Sequence, residues 1–145
     1  MVNWSVNWSG IEKWWIMDKL FKSISLSHGF NGDFAESRKD GILQSYDYTS
    51  NFSPVIGITT KTKGRSPITF KINYNFKQDI KNIDASTERT HTGNISSSIS
   101  YRKTGGLTIP VFFFRDFYIA NDTDFNLNCS FDNSRTLMTS TPVDD

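Results

Sequence analysis

Polar and apolar residues alternate along this chain with a period of two, in one segment after another. From Ser23 the order Ser-Ile-Ser-Leu-Ser-His-Gly-Phe-Asn-Gly-Asp-Phe puts Ile24, Leu26, Phe30 and Phe34 on one face, with Ser23, Ser25, Ser27, Asn31 and Asp33 on the other. Successive side chains of a strand point to opposite sides, so such a segment has one apolar and one wet face. Val2 to Trp8 repeats the pattern, with Val2, Trp4, Val6 and Trp8 against Asn3, Ser5 and Asn7. From about Phe52 to Lys63, Phe52, Ile56 and Ile58 oppose Ser53, Thr59, Lys61 and Lys63. Pro54 falls near the start of that segment, where a lost ladder bond is tolerable. Ile68 to about Ile80 is the most regular: Ile68, Phe70, Ile72, Tyr74 and Phe76 alternate with Thr69, Lys71, Asn73, Asn75 and Lys77. From about Thr90 to Arg102, Gly93, Ile95, Ile99 and Tyr101 oppose Asn94, Ser96, Ser98 and Ser100. From Thr123 to about Asp132, Phe125, Leu127, Cys129 and Phe131 oppose Asp124, Asn126, Asn128, Ser130 and Asp132.

Between the segments the pattern changes. Gly64-Arg65-Ser66-Pro67 reads as a compact turn that makes its flanking strands an antiparallel hairpin. Ala35 to Ser50, with Gly41 and Asp47, reads as a polar loop in which Leu43 to Tyr48 extends a strand; Lys81 to Thr87 reads as a second loop. A longer connection holds Gly105-Gly106 and an aromatic cluster, Phe112-Phe113-Phe114 with Phe117 and Tyr118. Over Ile11 to Phe21 the period lengthens. Ile11, Trp14, Trp15, Asp18 and Lys19 fit a short amphipathic helix with its charges away from the tryptophans. Paired Trp14 and Trp15 beside lysine suit a membrane–water interface; the competing reading is a helix capping a soluble core. The expected fold is all-β: an antiparallel up-and-down meander of about six strands over 1–135, with that helix between the first two strands. Residues 136–145 form an unpatterned tail.

An antiparallel sheet in a soluble sandwich alternates as well. Length, aromatics and the wet face favour a membrane. The segments run to about nine to thirteen residues, beyond the usual five or six of globular strands. Trp4, Trp8, Phe34, Phe52, Tyr101 and Phe131 sit near segment ends, like the girdles of an outer-membrane barrel. The wet face is mostly Ser, Asn, Thr and Lys, suited to a hydrated lumen. Part of a large transmembrane β-barrel is therefore expected, in the bacterial outer membrane. The lipid-facing candidates are Trp4, Val6, Trp8, Ile24, Leu26, Phe30, Ile56, Ile58, Phe70, Ile72, Tyr74, Ile95, Ile99, Phe125, Leu127 and Phe131. The lumen-facing candidates are Ser25, Ser27, Lys61, Lys71, Asn73, Asn75, Ser96, Ser98, Asn126 and Asn128. The first, third and fifth connections share a side, and only the third is short, so structured elements are expected beneath the rim. Known small barrels close with about eight strands at least, so further strands or further copies are expected to complete the wall. No signal peptide precedes the first strand pattern, which makes the chain read as a fragment of an exported protein.

Composition narrows the function classes. Net charge is +1, which leaves no electrostatic footprint for nucleic acid. The longest apolar run, Val111 to Phe114, stops at Arg115, far short of a membrane-spanning helix. The hydrophobic share of 37% is low for a globular domain, but a barrel hides its apolar band in alternation. A lone cysteine, Cys129, excludes an internal disulfide and reads as a small hydrophobe on its strand. His28 and His91 stand in different strands without a second ligand at metal spacing, and no nucleophile-elbow, Walker or Rossmann pattern occurs. Asp122, Asp124 and Asp132 mark strand ends rather than a paired-carboxylate site. Asn-x-Ser/Thr at Asn3, Asn7, Asn51, Asn94, Asn121 and Asn128 is mostly a by-product of alternation on the wet face. Neither an enzyme, a cofactor nor a metal site is expected.

The stretches Trp4-Ser-Val-Asn-Trp-Ser-Gly-Ile-Glu-Lys13 and Leu20-Phe-Lys-Ser-Ile-Ser-Leu-Ser-His-Gly-Phe30 resemble the C-terminal part of the SprA/Sov family. These are outer-membrane translocons of the type IX secretion system. Asn51-Phe-Ser-Pro-Val-Ile-Gly57, Ile99-Ser-Tyr-Arg102 and Asp124-Phe-Asn-Leu-Asn-Cys-Ser-Phe-Asp-Asn133 extend the resemblance from about Trp4 to Arg135. Each motif is mostly strand alternation; their order and spacing together carry the specificity. The resemblance implies a very large single-chain barrel to which this chain contributes about six strands. It also implies a role in protein transport and gliding motility, with secreted cargo and translocon accessory proteins as partners. Porins and receptors are the other barrel classes to weigh, and a soluble β-sandwich binding carbohydrate or protein is the alternative outside the membrane.

Overall fold

The computed structural model describes residues 1–14, 16–64, 66–83, 86–109 and 117–140. Six strands form one antiparallel sheet in which each neighbours the next along the chain: β1 (Val2–Ser9), β2 (Phe21–Lys39), β3 (Ile42–Thr62), β4 (Ile68–Ile83), β5 (Ser86–Lys103) and β8 (Thr123–Ser140). Two short strands, β6 (Leu107–Ile109) and β7 (Phe117–Ile119), pair with each other inside the last connection. The meander expected from the alternation is present as one open sheet, with β1 and β8 at its edges.

The strands are longer than the alternation suggests. β2 and β3 run on through the expected loop to an Asp40-Gly41 turn. Both turn residues have positive φ, 54° and 81°, as a two-residue primed turn requires. Neither face of Ala35–Lys39 is apolar, so its alternation carried no signal although its backbone pairs with Ile42–Asp47. The β4–β5 hairpin extends likewise, to Ile83 paired with Ser86, and β8 continues through Thr136–Ser140 in register with β5. The first five residues of the expected tail are therefore strand; residues 141–145 lie outside those described.

Pro54 lies well inside β3 rather than near its start. It occupies a bulge between Phe52 and Ile56, where the ladder to β4 is interrupted and no donor is missed. Gly29 of β2 fits beneath this bulge: a Cβ there would stand 2.7 Å from the Ser53 carbonyl oxygen.

The first connection is not one amphipathic helix. Ile11–Lys13 forms a single 3-10 turn after Gly10, whose φ is 93°, and Met17–Leu20 forms one α-helical turn. Between them Trp14 is extended, and Trp15 lies outside the described residues. Tertiary contacts override the periodicity here. Trp14 meets Trp8 edge-on at 5.9 Å, the Ile24 amide donates to Glu12 Oε2 at 3.0 Å, and Lys63 donates to Asp18 Oδ1 at 2.8 Å. The run Phe112–Phe114 also lies outside the described residues.

This sheet builds no enclosed core. The chain exposes 11247 Å², whereas a compact monomer of its mass exposes about 7,600 Å². Ile24, 8% exposed, is the one buried apolar side chain among the described residues.

Candidate functional site

The candidate site is the sheet itself, because pairing sorts the side chains into two chemically opposite faces. Paired residues of adjacent strands share a face, so the register can be followed across the sheet. Trp8 pairs with Leu26, Leu26 with Ile58, Ile58 with Ile72, Ile72 with Ser97 and Ser97 with Cys129. One step along, Val6, His28, Ile56, Tyr74, Ile95 and Phe131 share that face. All sixteen apolar residues singled out from the sequence fall on it. The ten polar ones fall on the other, as in the row Ser25, Thr59, Lys71, Ser98, Asn128. Among the described residues, the apolar face carries no Asp, Glu, Lys or Arg from the Ile68–Tyr101–Phe125 row to the Trp4–Phe30–Phe52–Phe76 row on β3, β4, β5 and β8, nor between Ile24 and Phe30 on β2; Lys22, at the register shift beside Phe21, stands at the edge of that band. Lys61, Lys71, Arg102, Asp124 and Asp132 all take the opposite face.

Aromatic rings mark the apolar band near both ends. Trp4, Phe30, Phe52 and Phe76 form a belt across four adjacent strands, with Trp4–Phe30 centroids 6.1 Å apart and Phe30–Phe52 4.9 Å apart. Tyr101 and Phe125, at 6.0 Å, mark the other end. Phe76, Tyr101 and Phe125 lie at the ends of the band on their strands, whereas on β2 and β3 the band continues past the belt to Phe34 and Tyr48. His28 sits in the first belt, 4.7 Å from Trp4 and 6.0 Å from Phe52, and its Nδ1 hydrogen-bonds the Val55 carbonyl. That bond satisfies a ring nitrogen on an apolar face and ties β2 to the β3 bulge.

The band is also oblique. Its outer edge is Phe34 with Tyr48 on β2 and β3, level with Ile80, but Ile95 with Phe131 on β5 and β8, level with Tyr74. That drop is about 20 Å along the strands over about 19 Å across them, an angle of about 45°. The inner edge falls from Trp8, level with Ile72, to Tyr101, level with Ile68. This is a slope of about 35°. Along β4 the band from Ile68 to Phe76 measures about 27 Å, or about 21 Å when projected at a 40° tilt.

The polar face is held by side-chain hydrogen bonds. Asn75 donates to Asn94 Oδ1 at 3.0 Å, and Asn94 donates to Asp132 Oδ1 at 2.6 Å and to Ser130 Oγ at 3.1 Å. A shallow depression there is lined by Lys71, Asn73, Ser96, Ser98, Asn128 and Ser130. Asp122 and Asp124 both face Arg102, at 3.2 Å and 3.8 Å, which gives that carboxylate pair a structural role. Among the described residues no three His, Cys, Asp or Glu side chains come together, and no helix is long and apolar enough to cross a membrane. In the first connection, the Ile24 amide bonded to Glu12 holds that carboxyl below its ordinary range.

No family model, curated protein or solved structure matches this chain. The two faces and their register therefore carry the functional reading. Sequence reasoning missed Phe76 as a belt member and the basic residues Arg89, His91 and Arg135 beyond it. Phe76 was legible from its alternation; the basic group becomes visible only once β8 is paired along its whole length.

Proposed function

We propose that this chain is a wall segment of an outer-membrane protein-conducting β-barrel of the type IX translocon kind. The carrying observation is the absence of Asp, Glu, Lys and Arg from one face of six paired strands between the edges of the apolar band, where Lys22 stands at the margin. Lipid is the solvent that such a face fits, while the polar face lines water. Further support comes from the band height, close to the apolar belt of about 25 Å in outer-membrane barrels, and from its slant, close to their strand tilt of about 35–45°. Among the described residues no second sheet covers the apolar side of the six-stranded one, which counts against a soluble sandwich.

In this reading the wall conducts passively. Ser, Asn and Lys side chains keep the lumen hydrated, no covalent chemistry occurs, and cargo passes without a high-affinity site. β1 and β8 pair with the remaining strands, and the turns of the first connection stand at the rim, where Trp14 meets the interface and accessory proteins dock. A porin or receptor barrel would share the wall but not the cargo.

Cys129 provides the test, since it is exposed on the apolar face one residue from Ser130 on the polar face. In the chain assembled into vesicles, a charged maleimide is expected to leave Cys129 unmodified and to label a C129S/S130C variant. Equal labelling of both positions would remove the membrane assignment.

A further inference from the structure

Beyond the aromatic belt, the apolar face changes character on β5 and β8. His91 pairs directly with Arg135, and Arg89, two residues along β5 on the same face, is diagonal to Arg135. Direct partners stand about 4.5–5.5 Å apart at Cβ and diagonal ones about 7–8 Å, so the three basic side chains form one patch. Gln78, the β4 partner of His91, adds an amide donor. The His91 ring lies 6.0 Å from that of Phe76, which joins the patch to the belt. Asp79, Glu88 and Asp132, the nearby acids on these strands, all occupy the opposite face. Arg89 and Arg135 are exposed, and among the described residues neither forms an ion pair.

We infer that Arg89, His91 and Arg135 form a binding site for the phosphate of an anionic lipid headgroup. The proposal rests on the membrane-wall reading. Two guanidinium forks suit a phosphate, and the adjoining band receives the acyl chains of the same molecule. Continuity with the band selects a lipid over a free anion. The site also gives the wall a sidedness. The patch lies on the side of the β2–β3 and β4–β5 hairpins, so that side faces the leaflet richer in anionic headgroups.

The test measures partition of the full chain, by tryptophan fluorescence, into phosphatidylcholine vesicles with and without phosphatidylglycerol. The expected result is a preference for the anionic vesicles that R89Q/R135Q reduces roughly 20- to 30-fold and that R89K/R135K, which keeps the charge but loses the forks, reduces by a smaller factor. An undiminished preference in R89Q/R135Q would overturn the site. So would loss of the preference to excess inorganic phosphate at constant ionic strength, which would indicate a soluble-anion site. If the unaltered chain enters neutral vesicles without any anionic preference, the site fails and the wall reading stands; if it enters neither kind, both fail.

Discussion

Ile72 lies midway along the band on β4, four residues from Ile68 and four from Phe76, between Ile58 on β3 and Ser97 on β5. Four residues are about 13 Å of strand, or about 10 Å along the normal at a 40° tilt, so the proposed wall places Ile72 near the bilayer midplane. A lysine there finds neither water nor an acidic partner within one band half-height. At the midplane of a barrel wall such a charge costs about 2–4 kcal/mol. Asn73 is the next residue but faces the other way, in a row with Gly57 and Ser96 and one step from Lys71. Lysine at 73 therefore adds charge to a face that already carries it, at a cost of about 0–1 kcal/mol from repulsion by Lys71. The expected difference between I72K and N73K is at least about 1–2 kcal/mol, or roughly 5- to 30-fold in the assembled fraction. Urea titration of the chain in vesicles, followed by tryptophan fluorescence, reads that ratio. Equal costs at the two positions would refute the division of the sheet into lipid and water faces.

Three further outcomes are expected. Glu12 has a folded pKa below its unfolded value, so its contribution is complete above the ordinary carboxylate pKa of 4.5 and is lost as pH falls through the lower folded value. Amide exchange at Ile24 should rise, relative to an E12Q variant, only in that acid window; a rise near neutrality would contradict the assignment. Gly29→Ala should destabilise by about 1–3 kcal/mol because the new methyl meets the Ser53 carbonyl at 2.7 Å, whereas Ser27→Ala should cost far less in the same denaturation assay. A double-mutant cycle on Asn94 and Asp132, 2.6 Å apart, should return a coupling of about 1 kcal/mol; additivity would show that the polar-face network does not act as a unit.

Alternation made the sheet legible because one apolar face forces a period of two on the sequence. The same rule hid Ala35–Lys39, where neither face is apolar, and Thr136–Ser140, where adjacent Leu137 and Met138 fall on opposite faces and break the alternation. Asp40-Gly41 was the available signal for the longer hairpin, since that dipeptide suits a turn with two positive φ values. The first connection misled for another reason. Its spacing suits a helix, but Glu12 and Asp18 are used in contacts with Ile24 and Lys63, which no local pattern encodes. The face assignments were readable residue by residue; the continuity of the belt across four strands depends on register, which the bulge at Pro54 sets.

For the proposed barrel, the slant of the band carries a geometric consequence for the bore. Six strands spaced about 4.8 Å apart and leaning about 40° occupy about 37 Å of perimeter. Rolled shut by themselves they would make a tube about 12 Å across at the backbone. Lysine and asparagine side chains reaching inward from opposite walls would fill that width. An opening that admits a polypeptide therefore requires the perimeter to grow at β1 and β8, and each added strand widens the tube by about 2 Å.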